Sequence, residues 1–146
     1  MIGGSRIPDN KINRDVIAVL ENYRQAVERA DAEALMLMAS PNYREDSGTP
    51  SMSDDYGFDG LRAVLTERLG KARDIRYFLR YMSMRLRCPT GGTDLETGCR
   101  ANVEVLIDAS FTVTDARGQD QRPDMRDQNE LELEWTGDKW LIVRGM

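Results

Sequence analysis

Histidine is absent from all 146 residues, so the reactive chemistry of this chain rests on carboxylates, tyrosines and two cysteines. Without imidazole there is no Ser-His-Asp or Cys-His nucleophile pair, no imidazole base and no histidine metal ligand. Cys88 and Cys99 flank ten residues, Pro-Thr-Gly-Gly-Thr-Asp-Leu-Glu-Thr-Gly, a stretch rich in turn formers between two strand-like segments. The spacing predicts a disulfide across the neck of a hairpin, with two unpaired thiols at strand ends as the alternative. A bond closing so short a loop stabilises a fold by about 2 to 3 kcal/mol and implies an oxidising compartment. Two thiolates without histidine make a poor ligand set, and no metal site or cofactor is expected.

The second chemically capable stretch is residues 41–57, Pro-Asn-Tyr-Arg-Glu-Asp-Ser-Gly-Thr-Pro-Ser-Met-Ser-Asp-Asp-Tyr-Gly. Long loops of this kind are often functional. Tyr43 and Tyr56 bracket it, placed either to rim a pocket or to anchor the loop to the body. Asp46, ahead of Ser47-Gly48, has the placement of a turn cap. Asp54, Asp55 and Asp59 lack the alternating spacing of a calcium loop and read as the solvated N-terminus of a helix, where the macrodipole favours negative charge.

These residues need elements to position them. Val16, Val19, Leu20, Tyr23, Val27 and Ala30 recur at steps of three and four, predicting an amphipathic helix with Asn13 as its N-cap. Asp31 caps a shorter helix over 32–39, with Leu35, Met36 and Met38 inward, and a third helix runs through Leu61, Val64, Leu65 and Leu69 to Gly70. From Asp74 the period falls to two. Ile75, Tyr77, Leu79 and Tyr81 share one phase while Met82, Met84 and Leu86 take the other, predicting a bulge or bend near Tyr81. Val103, Val105, Ile107, Ala109, Phe111 and Val113 alternate with Glu104, Asp108, Ser110 and Thr112, which places Asp108 opposite the apolar face. Leu131, Leu133 and Trp135 alternate with Glu130, Glu132 and Glu134, read as the wet face of a strand, before Thr136-Gly137-Asp138-Lys139 turns into a last strand from Trp140 to Arg144. The order is α+β: three N-terminal helices packed on a strongly curved four-stranded antiparallel sheet.

Length fits one domain, residues 13–146, preceded by a linker or tether over 1–12. A formal net charge of -5 with basic and acidic residues interleaved excludes a phosphate-neutralising face, so no nucleic-acid partner is expected. The longest apolar runs fall far short of the roughly 20 residues that span a bilayer. The opening Met-Ile-Gly-Gly-Ser-Arg-Ile-Pro reads as a cut tether and predicts an export signal, ending in a lipid-modified cysteine, ahead of Ile2 in the natural gene. That reading expects a periplasmic or cell-envelope location, with a cytoplasmic one left open.

The element order, the Ala-Asp-Ala-Glu-Ala-Leu elbow between the first two helices, and the closing Leu-Glu-Trp-Thr-Gly-Asp-Lys-Trp-Leu-Ile-Val-Arg-Gly-Met together resemble the nuclear transport factor 2-like superfamily, which includes SnoaL-like cyclases and ketosteroid isomerases. The resemblance covers roughly 13–146. It implies a cystatin-like cone in which a bent sheet wraps the first helix around a pocket, and dimerisation through the sheet. It also implies, by position, that Tyr23 matches the tyrosine that donates to the oxyanion in ketosteroid isomerases and Asp46 the aspartate that shuttles the proton. Tyr23, Tyr43, Asp46, Tyr56 and Trp135 are the expected pocket residues.

Tyr23, Phe58, Tyr77, Phe78, Phe111 and Trp135, with the adaptable methionines 36, 38, 82 and 84, are large enough together to fill such a cone. The leading expectation is an exported domain that binds a small apolar or amphipathic ligand without catalysis. One alternative is a lyase, cyclase or isomerase acting on a carbonyl compound with Asp46 as base and Tyr23 as oxyanion donor. The other is a dimeric scaffold in an envelope complex.

Overall fold

The structure, a computed structural model, describes residues 1–45 and 56–146. Three helices, α1 (Lys11–Glu28), α2 (Ala32–Met38) and α3 (Phe58–Gly70), pack against a sheet of antiparallel strands. The main strands are β3 (Arg73–Arg87), β4 (Arg100–Thr114), β6 (Asp124–Trp135) and β7 (Trp140–Arg144), hydrogen-bonded in the order β3-β4-β6-β7. Three two-residue strands complete the set. β1 (Arg44–Glu45) pairs with β2 (Tyr56–Gly57), and β5 (Asp120–Gln121) pairs with the end of β4. The sheet therefore has five strands where the alternation predicts four, because a two-residue strand is too short to leave a periodic signal.

α1 starts earlier than the sequence suggests. Its N-cap is Asn10, whose side chain accepts from the Asn13 N–H at 2.9 Å, while Asn13 itself is buried and donates to the Pro8 carbonyl at 2.9 Å. The first turn carries little of the apolar stripe, so the periodic signal begins one turn late. The helix buries Val16, Leu20, Tyr23 and Ala26, and ends before Ala30, which takes a positive φ of 53° and is exposed. Asp31 caps α2 as expected, accepting from Ala34 N–H at 3.0 Å. The elbow is thereby fixed in angle.

β3 and β4 pair over most of their length, with a register shift between Tyr81 and Ser83 where the phase of the sequence changes. Such a bulge bends a strand. The Met82 carbonyl at this point accepts the Arg6 N–H at 3.1 Å, and the nearby Ile7 is fully buried, so the N-terminal segment is laid against the fold. β3 is an edge strand, and α1 covers that edge with side chains: Glu28 accepts the Tyr77 N–H at 3.0 Å and Arg24 donates to the Tyr77 carbonyl at 3.3 Å. The inner face of β4 supplies Val103, Val105, Ile107 and Ala109 to the core, joined by Leu131 and Leu133 of β6 and Ile142 of β7. Burying each large aliphatic side chain here contributes about 1.5 to 3 kcal/mol.

Cys88 and Cys99 form a disulfide at the neck of the β3–β4 connection. Asp108 is exposed, opposite the buried run, and faces Arg126 at 3.9 Å across the outer surface. Phe78, in the opposite phase to Tyr77, is 59% exposed on that same surface and fills no cavity. The glutamates of β6 are less wet than their alternation implies. The side chains of Glu132 and Glu134 are only 15% and 13% exposed, covered by Arg87, Arg100 and Arg144, with Ser40 Oγ hydrogen-bonded to Glu134.

Candidate functional site

The side chains facing the concave surface of the sheet do not fill it. Between α1, α3 and the far end of the sheet a cavity of about 490 Å³ remains, within the range of small-ligand pockets. Its walls are chiefly apolar: Leu35 from α2, Leu65 and Leu69 from α3, Ile75 from β3, Ile107 and Phe111 from β4. Polar groups enter at the mouth and on one wall. Tyr23 comes from α1, Tyr77 from β3, Glu45 from β1, Arg68 from α3, and Asp127 and Asn129 from β6.

Tyr23 and Tyr77 meet edge to face, ring centres 6.1 Å apart and planes at 87°. Burial holds the Tyr23 hydroxyl well above its usual ionisation range, and the neighbouring Tyr77 hydroxyl adds to that effect. Burial likewise raises Tyr77. Both are neutral donors and acceptors at physiological pH. The Arg24 and Glu28 contacts to the Tyr77 backbone fix this pair relative to α1.

Glu45, half-buried, lines the same cavity. Its Oε2 accepts the Gly145 N–H at 3.2 Å and the Tyr43 hydroxyl at 3.4 Å, and Tyr43 Oη in turn accepts the Met146 N–H at 3.0 Å. Desolvation raises the Glu45 carboxyl above its ordinary value, opposed by the Gly145 and Tyr43 hydrogen bonds and by the positive charge of Arg144 and Arg68. The Tyr43 hydroxyl is raised by burial and then by the Glu45 carboxylate. Asn129 Nδ2 donates to the Gly145 carbonyl at 2.9 Å, so β6 and β1 hold the two faces of one peptide segment that walls the cavity.

The residues expected from sequence fall in different places. Tyr23 lines the cavity. Tyr43 and Tyr56 stack with ring centres 6.4 Å apart, behind Glu45 and outside the cavity lining. Asp46 lies outside the described residues, as do Asp54 and Asp55. Trp135 is elsewhere: it packs on Trp140 at 5.5 Å, and its backbone pairs with Cys99 and Gly98 beside the disulfide. It shares the inner face with Asn129 but lies six residues further along β6, roughly 20 Å at ~3.3 Å per residue. Alternation fixes the face of a strand residue and leaves open which end of the cone it occupies.

Sequence reading missed Glu45, Arg68, Asp127 and Asn129 as site residues. For the last two a signal exists. Carrying the Leu131–Leu133 alternation back towards the start of β6 puts Asn129, Asp127 and Met125 on the inner face, and polar residues in an apolar phase mark a lined cavity. Among the described residues no group of cysteine, aspartate and glutamate is arranged to hold a metal ion. No helix of the described residues is long and apolar enough to cross a membrane.

No protein-family model and no curated protein matches the chain. Solved structures do match it. A ketosteroid isomerase-like protein from Erwinia carotovora atroseptica superposes with a TM-score of 0.65 at 18% identity, over 94% of this chain and 95% of that one. A provisional dehydratase of the nuclear transport factor 2-like family from Streptomyces avermitilis gives 0.65 at 14% identity, over 91% and 92%. This chain has the nuclear transport factor 2-like fold. The same nuclear transport factor 2-like cone also appears in a provisional calcium/calmodulin-dependent protein kinase II association domain from Xanthomonas campestris, with a TM-score of 0.63 at 18% identity, over 97% and 89%. Proteins described in such different terms share the architecture, so function has to be argued from the cavity.

Proposed function

We propose that this chain is an exported binding domain that holds a small, largely apolar or amphipathic molecule in its cone without transforming it. The observation that carries this is the open cavity of about 490 Å³ between the helices and the sheet, with chiefly aliphatic and aromatic walls and a few polar groups among them. The disulfide supports a location in an oxidising compartment. Displacement of the neutral fluorescent probe N-phenyl-1-naphthylamine tests the binding. Ala109, on the inner face of β4 between Tyr77 and Met125, borders the open space. Ala109→Phe projects a ring into it, so probe affinity is expected to fall at least about tenfold, at a stability cost of about 1 to 3 kcal/mol. Undiminished binding by that variant would place the probe elsewhere and remove the support.

One observation favours a second reading. A carboxyl group whose proton affinity is raised by burial, lining the same cavity as a neutral tyrosine pair that can donate hydrogen bonds, is suited to proton abstraction beside a carbonyl. Glu45 has that environment, and it precedes the expected base Asp46 in sequence. In this reading the chain is a lyase, cyclase or isomerase with Tyr23 holding the developing oxyanion. Incubation with a β,γ-unsaturated ketone reports on it directly. Absence of the absorbance of a conjugated product is expected for the binding domain, and its appearance would establish the enzyme.

A further inference from the structure

The mouth of the cavity narrows the class of molecule it takes, an inference that rests on the binding reading above. Arg68 projects from the last turn of α3 into the lining, and it makes no ion pair among the described residues. The nearby acids have partners of their own, Glu67 with Lys71 among them. Glu45 accepts two hydrogen bonds from the protein, and Tyr23 is engaged with Tyr77. Across the cavity Asp127 approaches from the sheet side, where it acts on Tyr77 and accepts the Gln128 N–H at 2.8 Å. A guanidinium therefore lines an apolar cavity with no carboxylate among the described residues paired to it.

Tyr56 gives a second, independent observation. Its hydroxyl oxygen is buried and has no hydrogen bond of good geometry among the described residues. Arg68 is near enough to pull the ionisation of that hydroxyl downwards against the effect of burial. The hydroxyl is an acceptor for one N–H of the guanidinium, which carries five such donors and so keeps others for an anion in the cavity.

We propose that Arg68 is an anion subsite and that the molecule bound is a small amphipathic carboxylic acid, its carboxylate on Arg68 and its apolar body against Leu65, Leu69, Ile75, Ile107 and Phe111. A guanidinium suits a carboxylate because two parallel N–H groups meet two oxygens, and charge-assisted bonds of this kind are about twice as strong as neutral ones. Tyr56 acts as a positioning residue for the cation. The chemistry asks for one negative charge at one end of the ligand and none along its body.

Decanoate and 1-decanol, which share an alkyl chain and differ in the head group, distinguish the possibilities when each displaces N-phenyl-1-naphthylamine from the full chain. Decanoate is expected to displace the probe at a concentration about tenfold or more below that of decanol. Arg68→Gln should erase this preference, so that decanoate displaces the probe no better than decanol does, and Arg68→Lys should restore part of it. Tyr56→Phe should weaken decanoate alone. Equal displacement by the two molecules, or a preference that survives in Arg68→Gln, overturns the carboxylate assignment and leaves the binding reading standing. Failure of the probe itself to bind the native chain removes both.

Discussion

At Glu45 a carboxyl group is held between two backbone-anchored donors and a largely apolar cavity, and the balance raises its proton affinity. Desolvation raises its proton affinity in the folded state above the ordinary value of 4.5, so ionisation is what folding disfavours. The penalty is absent below that ordinary value. It grows as pH rises through the window above it and is complete once pH passes the folded-state value. Glu45→Gln keeps an oxygen to accept the Gly145 N–H and removes the charge. Urea midpoints should therefore show the variant gaining on the native chain as pH rises above the ordinary value of 4.5, and a difference independent of pH would mean that the carboxyl is well solvated. Tyr23 is legible at this scale because it lies on a helical apolar stripe. Glu45 is not, since residues 41–45 carry neither periodicity and its neighbours in space, Gly145 and Asn129, are remote in sequence.

Among the elements, the long ones announce themselves and the short ones do not. α1, α2, α3 and the four main strands each repeat an apolar period several times, whereas β1, β2 and β5 have two residues apiece. Yet β1 places Glu45, so the least legible element sets part of the site. α2 is a different case, a helix of seven residues that cannot stand on intrinsic propensity. Its position depends on the Asp31 cap, on Leu35 and Met36 in the core, and on Ser40 N–H donating to the Ile142 carbonyl at 2.8 Å. Removing the cap by Asp31→Ala is expected to lower stability by about 1 kcal/mol, read as a shift in urea midpoint at constant slope. Asp31→Asn, which retains the side-chain acceptor, should stay close to the native midpoint. A loss of the same size in both variants would assign the effect to charge instead of the cap.

For the molecule as a whole the two ends of the cone differ in composition. One end is filled by Trp135, Trp140, Leu133 and Ile142 beside the buried Cys99, and the disulfide ties β3 to β4 there. The other has Ile107, Ala109 and its cross-strand partner Tyr77 on the sheet and Tyr23 on α1, all lining the open space. Ala109 lies ten residues beyond Cys99 along the chain, roughly 30 Å of strand at ~3.3 Å per residue. Stability concentrated at the filled end lets the other end keep a void, whose missing contacts would otherwise be costly. Replacing both cysteines by serine should then destabilise the fold by about 3 kcal/mol, the figure expected for a closed loop whose ends are 11 residues apart. The affinity of the variant for N-phenyl-1-naphthylamine should nonetheless match that of the native chain when measured well below its unfolding transition. The disulfide restricts the unfolded chain and the β3–β4 neck, and neither includes a residue of the cavity wall. A loss of affinity comparable to the loss of stability would show that the two ends are mechanically coupled, with the curvature of the whole sheet set from the disulfide end.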